Sequence, residues 1–145
     1  MSTTNNTITQ RIAMKAVIAN SEGKVLVVRI ADTPKAGPNA GKYGLTGGKL
    51  KAGEKWDDGL IRETKEETGL VVEVLKPLHV GEWRPIVQSV QLQIVGVFLE
   101  CSAKKFEVTL SAENDDYQWV DVALLKSLDV LEPDRTVVLS YLNTK

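Results

Sequence analysis

Apolar side chains collect into short β-rich runs along the chain, and clusters of Gly, Pro, Asn, Asp and Ser separate them. Ile12 to Ala19 and Val25 to Ile30 are two such runs. Between them stands Asn20-Ser21-Glu22-Gly23, residues that tolerate positive φ, so the pair predicts a hairpin. Ala31 to Lys42 holds Pro34, Gly37, Pro38 and Gly41, a density of breakers that predicts a loop bordering a substrate cleft. A short strand is expected over Tyr43 to Thr46, followed by a glycine turn at Gly47-Gly48. A helix then runs from about Lys55 to Thr68. Gly69 suits its C-terminal cap, and Asp57 and Asp58 suit the positive end of the helix dipole.

Further on, Val71 to Val74, Leu78 to Trp83 and Val87 to Glu100 predict strands, the last long enough to need a bend or bulge at Gly96. Gln118 to Val120 adds a short strand. Val122 to Lys126 and Asp134 to Leu142 predict helices, the second with Val137, Val138, Tyr141 and Leu142 at helical spacing. Strands alternating irregularly with three helices indicate an α/β domain.

The 145 residues, 43% of them hydrophobic, match one domain with its own core. We expect a polar lead over residues 1–10 and a single domain over residues 11–145. A net charge of −1, from 18 basic and 19 acidic side chains, gives no basic surplus of the kind nucleic-acid binding requires. Small phosphorylated substrates fit that balance better than long polymers. The N-terminus lacks the apolar core of a secretory signal, and no stretch reaches about 18 uninterrupted apolar residues. The expectation is a cytoplasmic protein without a membrane partner. Cys101 stands alone in an apolar run, where a buried, inert thiol is expected.

Glu63, Glu66 and Glu67 stand at i, i+3 and i+4 on the predicted helix. Like charges at these spacings repel by roughly 0.2–0.5 kcal/mol per pair, a penalty that a bound cation reverses. Magnesium and other hard divalent ions favour one or two carboxylates together with substrate phosphates. The pattern therefore points to metal-assisted phosphate chemistry. A solvated helix face is the plainer reading, since Arg-Glu and Lys-Glu runs are common on surfaces. The upstream glycines weigh against it.

Those glycines complete a longer pattern: Gly48, five residues, Glu54, seven residues, then Arg62-Glu63-Thr64-Lys65-Glu66-Glu67-Thr68-Gly69-Leu70. This segment resembles the Nudix box of the Nudix hydrolase family. It departs from the usual box at Thr64, where an aliphatic residue is common. Two further departures are Lys51, where many relatives carry glutamate, and Thr46, where proline often precedes the glycines.

The resemblance implies an α/β/α sandwich around a mixed β-sheet. It also implies hydrolysis of a diphosphate linkage in a nucleoside diphosphate joined to another group, with Mg2+ or Mn2+ as cofactor. Glu63, Glu66 and Glu67 become the expected metal ligands, joined by the Gly48 carbonyl, and Glu54 with Arg62 organises the site. Gly47 and Gly48 let backbone approach a ligand closely. Glu113, upstream of Trp119, matches a position that often supplies an extra ligand or a base; a solvated loop carboxylate is the alternative. Arg29 matches a phosphate-binding arginine, with an exposed strand end as its alternative. Trp83 is a candidate for stacking on a base, against core packing. Tyr43 and Asp134 are further pocket candidates. His79, the lone histidine, is expected to be structural.

Two other functions share this fold. A nucleotide-sensing or protein-binding module tolerates loss of the glutamates, and this chain retains all three. An RNA 5'-end pyrophosphohydrolase calls for a basic strip, which the charge balance does not suggest. The substrate expectation is therefore a small nucleotide, such as an ordinary or oxidised nucleoside triphosphate. The family includes many homodimers, and the chain shows no clear interface stripe, so a homodimer remains an open expectation.

Overall fold

Ala16 to Ile18 and Val25 to Val28 are buried residue after residue, as expected of strands covered on both faces. The computed structural model describes residues 7–145; residues 1–6 of the expected polar lead lie outside the described residues. The strands are β1 (Thr9–Ile18), β2 (Val25–Ile30), β3 (Tyr43–Gly44), β4 (Thr46–Lys49), β5 (Val72–Trp83), β6 (Ile86–Val87), β7 (Val90–Ala103) and β8 (Asn114–Val120). The helices are α1 (Trp56–Thr68), α2 (Val122–Ser127) and α3 (Asp134–Asn143).

One sheet runs β4-β1-β7-β5, with β6 pairing β7, and the other runs β3-β2-β8. The first is mixed: β1 lies parallel to β7 and antiparallel to β4. Met14, Ala16, Ile18, Leu26 and Val28 pack with Leu60 of α1. Val17, Val25 and Val27 point the other way, toward Leu125 of α2 and Val137, Val138 and Tyr141 of α3. Alternation along each strand thus feeds two cores, and the chain forms the expected α/β/α sandwich. No helix among the described residues is long and apolar enough to cross a membrane.

Several local expectations change. The turn at Asn20 forms, with Gly23 N–H donating to the Asn20 carbonyl at 2.9 Å and a bridge between Ala19 and Val25. Beyond it β1 and β2 part into different sheets, so they do not make a hairpin. Gly47 and Gly48 lie within β4, paired with Lys15 and Met14, rather than in a turn. The turn comes later, where Glu54 N–H donates to the Lys51 carbonyl at 3.0 Å.

The two strands expected around Pro77 are one, β5, whose register with β7 shifts between Val74 and Lys76 and between Pro77 and His79. An edge position lets proline sit in a strand. The chain reverses at Gln88 and Ser89, with φ of 50° and 66°, which joins β6 to β7 through a two-residue turn. Gly96, expected at the bend, instead lies in β7 beneath the Trp83 ring, where an added Cβ would stand 2.5 Å from a ring carbon.

Candidate active site

Helix α1 starts after Lys55 and ends at Gly69, whose φ of 74° provides the left-handed cap expected there. It turns a face carrying Glu63 and Glu67 toward β4 and leaves Glu66 exposed. Arg62 organises that face. Its Nε donates to Glu54 Oε2 at 2.8 Å and its Nη2 to Glu54 Oε1 at 3.1 Å, a two-pronged grip that suits the planar guanidinium. Its Nη1 reaches Glu63 Oε1 at 3.1 Å and Glu66 Oε2 at 3.2 Å. The Arg62 hydrogen bonds hold the Glu54 carboxyl below the usual carboxylate range.

Gly59 makes the grip sterically feasible: a Cβ there would stand 2.8 Å from Glu54 Oε1.

Glu67 faces β4. Its Oε1 accepts the Gly47 N–H and the Thr46 hydroxyl, each at 2.8 Å. Burial pushes its carboxyl pKa up, while those two hydrogen bonds and the charge of Lys15 pull it down. Gly47 adopts φ of 141°, and a side chain there would run into the Met14 carbonyl oxygen. At Gly48 an added Cβ would lie 3.0 Å from the Glu63 carboxyl carbon, so absence of a side chain keeps a space open beside that carboxylate.

Glu113 is exposed and lines a pocket of about 190 Å³ together with Glu67 and Lys35. The structure thus brings Glu113 to one helix glutamate, Glu67, across a long stretch of sequence. Arg29 donates to Asp115 Oδ1 at 2.6 Å and lies 5.8 Å from the centre of the Tyr43 ring. The Tyr43 hydroxyl donates to Asp116. Tyr43 is itself buried, as is Asp134, whose Oδ2 accepts the Leu45 N–H at 2.8 Å and lies 3.6 Å from Lys15 Nζ. Tyr43 belongs to β3, and Asp134 packs against Gly44 and Leu45 at its exit. Trp83 is half-buried and covers Gly96. His79 packs against Phe98, with ring centres 5.7 Å apart. Cys101 is buried, and desolvation pushes its thiol up to about 12.

Four residues escaped the sequence reading: Lys15, Thr46, Gly59 and Asn114. Lys15 left a signal, a lone charge inside the apolar run Ile12 to Ile18. Thr46 was noted only as a departure from proline. Its hydroxyl contact to Glu67 depends on a pairing between distant segments.

Among the described residues, no group of three or more His, Cys, Asp or Glu side chains stands ready as a metal cage. Arg62 meets the Glu63 and Glu66 carboxylates in this arrangement. The donor chemistry still fits a hard divalent cation: carboxylate oxygens on α1 face the bare backbone of Gly48, where a Cβ would fill the gap.

Comparison with known proteins agrees with this fold. The NUDIX domain family model matches residues 9–141. Nucleoside triphosphatase NudI of Klebsiella pneumoniae is 28% identical over 131 residues, covering 83% of this chain and 89% of the relative. The NudI protein of an Enterobacter species is 28% identical over 134 residues, covering 87% and 92%. The crystal structure of a MutT protein from Methanosarcina mazei superposes with a TM-score of 0.78 at 23% identity, over 95% of this chain and 96% of that one. With the family model spanning β1 to α3, the chain belongs to the Nudix hydrolase family.

Proposed function

We propose that this protein hydrolyses a diphosphate linkage in a small nucleotide, a nucleoside triphosphate above all, with Mg2+ or Mn2+ bound at α1. The observation that carries the reading is the Arg62 grip on Glu54, which fixes the guanidinium beside Glu63 and Glu66 while Glu67 is held against β4. Glu63, Glu66, Glu67 and the Gly48 carbonyl would hold the cation, and Glu113 would add a ligand or a base. A divalent ion there would neutralise phosphate oxygens and make water a stronger nucleophile.

The protein's own residues do the rest. Glu54 and Arg62 would keep the carboxylates in register, and Arg29, hydrogen-bonded to Asp115, would receive a phosphate. Gly47 gives the substrate and Glu67 close access to backbone. Tyr43, Trp83 and Asp134 would support the nucleotide pocket. The triphosphate substrate is supported by the NudI relatives, which are named as nucleoside triphosphatases. The same reading takes residues 11–145 as one catalytic domain acting in the cytoplasm.

The test is product release from a panel of ordinary and oxidised nucleoside triphosphates, ADP-ribose, dinucleoside polyphosphates and nucleotide sugars, with and without Mg2+. Metal-dependent turnover concentrated on the triphosphates is expected. Nucleotide binding by folded protein without turnover of any panel member would replace this reading with a sensing module.

A further inference from the structure

We propose that Asn114 is an additional oxygen donor to the divalent cation, completing with Glu67 and Glu113 a site that reaches beyond the α1 glutamates. The inference rests on the metal-binding reading of α1.

Asn114 opens β8, beside a register shift between Arg29 and Ile30 of β2. Its Nδ2 donates to the Arg29 carbonyl at 3.2 Å, and this contact fixes which end of the amide is nitrogen. Oδ1 is left buried without a hydrogen-bond partner among the described residues, on a side chain whose residue is only 8% exposed. A buried acceptor with no donor is costly and rare in folded proteins, so it calls for a group that satisfies it.

The surroundings say which kind of group. Asn114 lines the same pocket as Glu67 and Glu113. Both hydrogen bonds to Glu67 end on Oε1, so among the described residues Oε2 has no protein donor. Two carboxylates and a neutral amide oxygen make a donor set of the type that hard divalent ions take. Lys35 at the rim suits phosphate oxygens carried on such an ion.

The backbone holds these groups in register before any ligand arrives. Ser111 N–H donates to the Glu67 carbonyl at 3.2 Å, Asn114 N–H to the Ser111 carbonyl at 3.3 Å, and Ala31 N–H to the Glu113 carbonyl at 2.9 Å. Segment 111–114 is therefore tied both to the end of α1 and to the end of β2. Hydrophobic replacement of Asn114 removes the donor without cutting any of these backbone ties.

The test is Mn2+ binding to the full chain without substrate, read from the electron paramagnetic resonance signal of free Mn2+, for wild type, Asn114→Ala, Asn114→Asp and Glu67→Gln. Melting of each variant without metal is measured alongside. Asn114→Ala is expected to weaken Mn2+ binding roughly 10-fold. Asn114→Asp, which keeps an oxygen in place, is expected to retain or tighten it. Unchanged Mn2+ affinity in Asn114→Ala, with binding lost in Glu67→Gln, would overturn the inference and leave the α1 metal site standing. Absence of Mn2+ binding in folded wild type would overturn both. A purely structural Asn114 would shift the melting temperature and leave the Mn2+ affinity of the folded protein unmoved, which also overturns the proposal.

Discussion

Arg62 grips Glu54 with two hydrogen bonds, Nε to Oε2 at 2.8 Å and Nη2 to Oε1 at 3.1 Å, and so ties the turn before α1 to the middle of the helix. The third arm of the guanidinium rests on Glu63 and Glu66. A lysine carries one point charge and cannot reproduce the fork. Arg62→Lys is therefore expected to cut kcat by about 10- to 100-fold, the usual effect of losing a group that orients metal ligands. Steady-state kinetics on a folded, thermally characterised variant checks this. Wild-type kcat in Arg62→Lys would show that the fork does not organise the site.

Gly47 and Gly48 are adjacent but fail differently when a methyl group is added. At Gly47 the Cβ meets rigid backbone at Met14, and φ of 141° is itself unsuited to an L side chain. Gly47→Ala is expected to lose about 3 kcal/mol or more of stability. At Gly48 the Cβ meets the end of the Glu63 side chain, which can swing aside. Gly48→Ala is expected to unfold near the wild-type midpoint and to lose turnover. Denaturant unfolding of both variants separates the two cases, and equal stability losses would contradict the distinction.

Thr64 is fully buried in α1, and its Oγ1 has no hydrogen-bond partner among the described residues. Valine has nearly the same shape and no hydroxyl to desolvate. Thr64→Val is expected to stabilise the protein by about 1 kcal/mol, a rise of about 3 °C in Tm for a chain of this length. Calorimetry reads this directly. A lower Tm would mean that the hydroxyl is satisfied.

Cys101 is buried in β7, with its thiol pushed up to about 12. At pH 8 about one molecule in 10⁴ carries the thiolate, and burial shields even that. The native protein is expected to resist a thiol-specific disulfide reagent at pH 8 and to react with one equivalent in denaturant. Rapid modification of native protein would place the thiol at the surface.

The parts of the fold that sequence revealed are those set by local chemistry. Gly69 and the spacing of Glu63, Glu66 and Glu67 defined α1 because a helix cap and a helix face are short-range features. The partners of β1 were not legible: Asn20 to Gly23 makes a true turn, and only pairing with the distant β7 and β8 decides that the strands part. Gly47-Gly48 looked like a turn for the same reason, since nothing nearby reveals that Lys15 and Met14 lie opposite. Arg62 with Glu54 was readable from the motif. Thr46 against Glu67, and Asn114 beside Glu67 and Glu113, depend on strands meeting across the fold.

We propose that the α1 carboxylates bind a metal that drives hydrolysis of a nucleoside triphosphate. The most direct test is product formation from a nucleoside triphosphate, followed by phosphorus NMR, for wild type and Glu67→Gln with Mg2+ and with chelator. The account predicts hydrolysis at a diphosphate linkage by wild type with Mg2+ alone, and a loss of at least about 100-fold in Glu67→Gln. Equal Mg2+-dependent rates in wild type and a folded Glu67→Gln would contradict it.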